Sequence, residues 1–147
     1  MSVINAEYFH QIQNKIAALR EVKMVGYVTP EYYKVQNRAA LVFSLEVLLD
    51  AHRKKFGHLT SPLKGKLALE HLLLNKYKWP LSVIRGLSLQ DSILLLQQEL
   101  ALDALPGEAQ DIIKNYNAHR ATNYFEEILE DEWDPELYLT IPKPQNW

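Results

Sequence analysis

Residues 88–105 constrain the fold of this chain more than any other stretch, because apolar residues recur on several sides of the helix that they predict. At 100° per residue they form three stripes, separated by narrow polar gaps. The first stripe is Leu89, Ile93, Leu96, Leu100 and Ala104; the second is Leu94, Ala101 and Leu105; the third is Leu95 and Leu102. A helix with one neighbour needs only one apolar stripe. Three stripes predict a central helix that is buried between helices of its own chain or between two copies of the chain.

Both ends of this predicted helix carry termination signals. Ser88 is a favourable N-cap, since its hydroxyl can accept a hydrogen bond from a free backbone N–H of the first turn. Asp91 places a negative charge near the positive end of the helix dipole. Pro106 and Gly107 end the stretch.

Further helices are predicted on both sides of this stretch. Two of them begin with a capping residue followed by proline, at Thr29-Pro30 and at Thr60-Ser61-Pro62. The expected helices cover residues 2–25, 30–56, 62–77, 80–85 and 108 to about 131. The fold class is therefore all-α, an irregular bundle of five or six helices. We expect a single helical domain over residues 1–134 and a short extended C-terminal tail over residues 135–147, where prolines follow an alternating segment.

Composition places the chain among ordinary globular proteins. Its 147 residues suit one domain. The absence of cysteine excludes disulfides and thiolate chemistry. The first 25 residues lack a basic region followed by an apolar core, and no apolar run approaches the length of a membrane span. These features predict a cytoplasmic protein.

Charge is distributed unevenly along the chain, although the formal net charge is only −2. Residues 52–86 contain eight basic residues and one acid, a balance of +7. Residues 121–147 contain seven acids and one lysine, a balance of −6. Such asymmetry indicates either pairing within the chain or binding to a charged partner.

The basic segment is a candidate contact for nucleic acid or for an acidic partner. Its basic residues are Arg53, Lys54, Lys55, Lys64, Lys66, Lys76, Lys78 and Arg85. A short helix, a glycine and a longer helix follow in the outline of a helix-turn-helix. The second helix carries no basic residue and three acids, so we reject it as a reading helix for DNA. A sequence-independent phosphate contact through the basic segment stays open, and solvated helix ends are the alternative explanation.

The acidic C-terminal end is a candidate contact for a protein partner. Aromatic and apolar side chains interrupt its acids, and such residues dominate protein interfaces. They are Trp133, Leu137, Tyr138 and Trp147. Its charge can be neutralised within one chain, between two chains of a dimer, or by a basic partner.

No motif for catalysis, metal binding or cofactor binding stands out. The five histidines include no pair at a spacing of three or four residues, so no helical zinc motif is present. No serine lies in a nucleophile elbow. We therefore expect no cofactor, no metal and no catalytic residue.

These observations favour an interaction or regulatory protein that is not an enzyme, that binds another macromolecule and that forms a homodimer. A nucleic-acid-associated regulator that uses residues 52–86 is the first alternative. A small enzyme or ligand binder with a pocket between helices is the second.

Overall fold

A computed structural model describes residues 3–24, 30–120 and 123–141 of the chain. Over these ranges the fold is all-helical and contains no β-strand, which confirms the predicted class. The α-helices are α1 (Ala6–Leu19), α2 (Pro30–Phe56), α3 (Leu67–Tyr77), α4 (Leu81–Arg85), α5 (Leu89–Leu95) and α6 (Gly107–Asn115). Short 3₁₀ turns occur at Leu102–Ala104, Ala118–Arg120, Glu130–Glu132 and Leu137–Thr140. No helix among the described residues is both long enough and apolar enough to cross a membrane.

Helix α2 is the element around which the described chain packs. It is 27 residues long, and all six residues from Val42 to Val47 are buried. Burial on consecutive positions requires neighbours on all sides, and α1, α3, α6 and the 3₁₀ turn at Ala118–Arg120 supply them. The predicted bounds of 30–56 are confirmed, whereas Thr29, the proposed cap, lies outside the described residues.

The predicted helix over residues 88–105 is much shorter in the structure. Ser88 caps α5 as expected, with its Oγ accepting from the backbone N of Asp91 at 3.0 Å. The helix ends at Leu95, where the backbone tightens through a bond from Leu96 N to Ile93 O. Turning the chain here still buries Leu96 and Leu100 of the first apolar stripe, whereas Ala104 of that stripe is exposed. Leu94 and Ala101 of the second stripe are also exposed, so the prediction of a central helix buried on several sides is wrong for this stretch.

Four other predicted boundaries also differ from the structure. Helix α3 begins at Leu67 rather than at Pro62, because Leu63 and Gly65 have positive φ angles of 56° and 62°. Asn5 caps α1, and Glu21 adopts a positive φ of 57° directly after it, so α1 is shorter than residues 2–25. Helix α6 stops at Asn115, and Asn117 has a φ of 57°. The expected helix to residue 131 is thus replaced by irregular chain and 3₁₀ turns. Residues 137–140 are a 3₁₀ turn rather than extended chain, and residues 142–147 lie outside the described ranges.

Candidate functional site

The C-terminal segment of residues 123–134 lies against α1 and α2 and is anchored by the buried carboxylate of Glu132. This side chain is fully buried, and it accepts hydrogen bonds from Arg20, at the end of α1, and from Arg38 of α2. One carboxylate therefore joins three parts of the chain. Charge-assisted bonds between guanidinium and carboxylate groups are among the strongest in proteins.

The same two arginines hold the backbone of the segment. Arg38 Nη2 donates to the carbonyl of Phe125 at 2.7 Å, and its Nη1 donates to that of Glu127 at 3.0 Å. Arg20 Nη2 also donates to Glu127 O, at 2.7 Å, and its guanidinium lies 4.2 Å above the centre of the Phe125 ring. Residues 125–127 are thus fixed in position although they form no regular element.

A second buried carboxyl group, Glu46, lies in the middle of α2. Its Oε2 accepts from the hydroxyl of Tyr8 at 2.8 Å, and its Oε1 accepts from the indole N–H of Trp133. Burial raises the pKa of Glu46, and the two donors oppose this shift. The pKa of Tyr8 is also raised, first by burial and then by the neighbouring Glu46 charge.

A carboxyl group with a raised pKa can act in general acid catalysis. Glu46 is only 1 % exposed, and the side chains of α1 and the C-terminal segment close over it. A substrate cannot reach it in this arrangement. The geometry instead makes Glu46 a second anchor that joins α1, α2 and Trp133.

The C-terminal segment is also tied to α5. The side-chain oxygen of Gln90 accepts from the backbone N of Ile128 at 3.0 Å. Glu130 Oε1 accepts from the backbone N of Leu89, at the start of α5, at 2.6 Å. The segment therefore bridges α2 and α5 and forms a wall between them.

These contacts form a groove of about 570 Å³ between α2, α5 and residues 124–128, which we call the α2–α5 groove. The residues that line it are Asn37, Arg38, Leu41, Gln90, Ile93, Leu94, Gln97, Tyr124, Phe125, Glu126 and Ile128. Leu94 is 69 % exposed and Tyr124 is 62 % exposed. A leucine and a tyrosine side chain are therefore open to water at the border of a concave surface.

A smaller cavity of about 200 Å³ adjoins this groove along α2. It shares Asn37 and Leu41 with the groove and extends to Ser44 and His119. The two cavities together border α2 from Asn37 to Ser44.

The structure places four of the predicted basic residues in ion pairs or in contact with backbone carbonyls of the same chain, and Lys78 also donates to Asn75 Oδ1 at 3.4 Å. Arg53 donates to the carbonyls of Leu63 and Gly65 at 3.0 Å, and its guanidinium lies 3.9 Å from the centre of the Tyr138 ring. The other three form ion pairs: Lys54 with Asp50, Lys76 with Glu99, and Arg85 with Glu70. The remaining four, Lys55, Lys64, Lys66 and Lys78, are exposed.

The two oppositely charged segments do not form ion pairs with each other within the described residues. The acids that pair with the basic segment come from residues 50–99. Among the C-terminal acids, Asp134 pairs with Lys15, while Glu132 pairs with Arg20 and Arg38. The C-terminal charge is therefore partly neutralised by α1 and by the first half of α2.

The predicted protein contacts of the C-terminal end are largely used inside the chain. Trp133 is 6 % exposed and is hydrogen-bonded to Glu46. Leu137 and Tyr138 are half-buried, and the Tyr138 hydroxyl accepts from Gly65 N at 3.3 Å. Trp147 lies outside the described residues.

The structure also reveals a pair of histidines on α2 and α3. His52 Nε2 and His71 Nδ1 are 2.8 Å apart, and the Phe56 ring packs 4.7 Å from that of His52. Burial lowers the pKa of His52 to about 4, and His71, Arg53 and Lys55 add to the shift. No group of three or more potential metal ligands occurs among the described residues. Nineteen positions separate the two histidines, so no local spacing could predict the pair.

Sequence reasoning also missed both buried anchors and the α2–α5 groove. The available signal was Glu46 in the apolar half of α2, since a charged residue there must find a partner inside the fold. Its partners, Tyr8 and Trp133, lie 38 and 87 positions away in the sequence. Helical periodicity describes only neighbouring turns, so it could not predict these contacts.

Comparison of this chain with protein-family models, curated proteins and solved structures finds no match.

Proposed function

We propose that this chain is a protein-interaction module that binds a protein partner in the α2–α5 groove. The observation that carries the proposal is the exposure of Leu94 and Tyr124 beside a concave surface whose other apolar lining includes Leu41 and Ile93. Apolar side chains of a partner would cover these residues and exclude water from them.

The polar lining supports binding rather than acid–base chemistry. It includes the amide side chains of Asn37, Gln90 and Gln97. Amides donate and accept hydrogen bonds without changing protonation near neutral pH. Such groups orient a partner and set its register.

The groove is a better candidate interface than Trp133 or Arg53, the central side chains of the two surfaces favoured by the sequence, although Lys55, Lys64, Lys66 and Lys78 of the basic segment stay exposed. Trp133 is buried, and Arg53 is occupied by Tyr138 and two carbonyl groups. Side chains that already make contacts within the chain contribute less to the binding of a partner than side chains that are exposed to water.

Selection from a library of displayed short peptides tests this function. The full chain is immobilised at low density, and the affinities of the recovered peptides are measured by fluorescence polarisation. We expect peptides rich in aromatic and aliphatic residues. Leu94→Glu should weaken their binding at least tenfold, about 1.4 kcal/mol, because it places a charge in the contact.

Leu59→Glu is the matched control, since Leu59 is 98 % exposed and does not line the groove. This variant should bind the peptides as the wild type does. Recovery of no peptide, or equal binding by the Leu94→Glu variant, would contradict the proposal.

A further inference from the structure

We propose that the contact between α2 and α3 is an acid-sensitive switch, in which uptake of a second proton by the His52–His71 pair releases α3 from α2. The pair does not belong to the lining of the α2–α5 groove. This inference is therefore independent of the function proposed for the groove.

The hydrogen bond of the pair accommodates one proton but not two. His52 Nε2 and His71 Nδ1 are 2.8 Å apart, so one of these nitrogens donates and the other accepts. A neutral imidazole has one nitrogen that accepts, whereas both nitrogens of an imidazolium ion donate. The bond survives a first proton, since one neutral ring remains as acceptor. A second proton places two N–H donors and two positive charges against each other.

The charges around the pair also oppose a second proton. Burial lowers the pKa of His52 to about 4, and His71 of α3 lowers it further in the same direction. Arg53 and Lys55, the neighbouring cations on α2, have the same effect. Every group that shifts this pKa therefore favours the neutral ring.

The acids nearest to the pair in the sequence are held by other cations. Asp50 of α2 forms an ion pair with Lys54 at 2.9 Å. Glu70 of α3 forms one with Arg85 of α4 at 3.5 Å. Neither carboxylate is among the groups that shift the pKa of His52. Within the described ranges, the pair thus has no counter-charge that would stabilise its doubly protonated form.

Mild acid consequently favours release of α3. The ordinary pKa of histidine is 6.5, and that of His52 in the closed contact is about 4. Between these values the released state holds one proton more than the closed state. The equilibrium constant for release therefore rises about tenfold for each unit by which the pH falls. The contribution of the closed pair to stability is fully present above pH 6.5 and is lost as the pH falls towards 4.

Hydrogen exchange of the full chain, measured by mass spectrometry between pH 7.5 and pH 4.5, tests this switch. Dividing each rate by the intrinsic rate at the same pH gives protection factors for the amides of α3 and, as an internal reference, of α1. We expect the protection of α3 to fall by up to about tenfold per pH unit below pH 6.5. The protection of α1 should be retained.

His52→Gln should abolish this pH dependence, because glutamine can bond to His71 without taking up a proton. His58→Gln is the matched control: His58 is exposed and lies beside Thr60 in the loop between the two helices, so this variant should behave as the wild type does. If circular dichroism shows that His52→Gln does not fold, His71→Gln, at a half-buried position, makes the same test.

Three results would overturn the inference. The first is α3 protection that does not change with pH in the wild type. The second is an equal fall in the glutamine variant of the pair. The third is an equal loss of protection in α1 and α3, which would mean that acid unfolds the whole chain rather than releasing one helix.

Discussion

Glu46 shows how a single buried side chain can organise distant parts of this molecule. Its carboxyl group joins α1 through Tyr8 and the C-terminal segment through Trp133. Burying a negative charge is unfavourable unless a counter-charge or enough donors compensate for it. The raised pKa of Glu46 shows that its two donors do not compensate fully. Burial therefore favours the neutral form of this residue more than water does.

Glu46→Gln should increase stability at neutral and alkaline pH. The pKa of Glu46 is higher in the folded chain than its ordinary value of 4.5, so its contribution to stability is fully present below pH 4.5 and is lost as the pH rises through the raised pKa. Glutamine has no charge to lose. It can accept from Trp133 and donate to the Tyr8 oxygen. Urea unfolding at several pH values should show an advantage over the wild type that grows with pH.

Glu46→Ala is the comparison variant. It removes the charge but leaves the Trp133 N–H without an acceptor and opens a cavity. We expect a loss of roughly 2 to 4 kcal/mol. If Glu46→Gln were less stable than the wild type at pH 8, the charged form would be the one that the fold prefers.

At the scale of elements, the C-terminal segment depends on side-chain anchors because it has little backbone hydrogen bonding of its own. The carbonyls of Phe125 and Glu127 are bonded to Arg38 and Arg20 rather than to a helix or sheet. This segment forms one wall of the α2–α5 groove. The shape of the candidate site therefore depends on two arginine side chains.

Arg38→Leu should loosen this wall while the α1–α2 pair remains folded. The substitution removes one guanidinium partner of the buried Glu132 and the donors to two carbonyls. Removing one member of a buried ion pair typically costs about 3 kcal/mol or more. Hydrogen exchange should become faster at the amides of residues 123–134. Urea unfolding measures the loss of stability.

Lys54→Met is the matched control for this loss. Lys54 pairs with Asp50 one turn away, and its side chain is 63 % exposed. Exposed pairs of this kind contribute less than about 1 kcal/mol. Equal effects of the two substitutions would mean that the Arg38 contacts are not an anchor.

The helices that sequence predicted well are those whose signals are local. Pro30 starts α2, the basic residues near Phe56 suit its end, and Ser88 caps α5. The expected continuation to residue 105 was wrong because Leu96 and Leu100 are buried by a turn of the chain, which periodicity cannot distinguish from a helix. The groove could not be predicted at all. It depends on contacts such as Arg38 to Glu132, which are 94 positions apart.

At the scale of the whole molecule, residues 135–141 pack on the domain rather than leaving it. Ile141 is 8 % exposed, and Tyr138 contacts Arg53 and Gly65. The predicted domain boundary at residue 134 is therefore open to a direct test.

Truncation after Asp134 should lower the free energy of unfolding by roughly 3 kcal/mol. The shortened chain loses the burial of Ile141 and the contact between Tyr138 and the Arg53 guanidinium. Urea unfolding monitored by circular dichroism measures the change. Leu139→Ser is the control in the full chain: Leu139 is 51 % exposed, so it should change stability by less than about 0.5 kcal/mol. If truncation left the urea concentration at the unfolding midpoint unchanged, the domain would end at residue 134.

The position of Trp133 has a consequence for how the protein is made. A ribosome releases the N-terminal half of a chain before the C-terminal half. Helices α1 and α2 can therefore pair early. The Trp133 indole, which donates to the buried carboxyl group of Glu46, is synthesised 87 residues later. Until Trp133 is added, the Glu46 carboxyl group of the nascent chain lacks one of its two hydrogen-bond donors. Completion of the fold is thus coupled to the synthesis of Trp133, and nascent chains interrupted before this residue should be preferred substrates for chaperones and proteases.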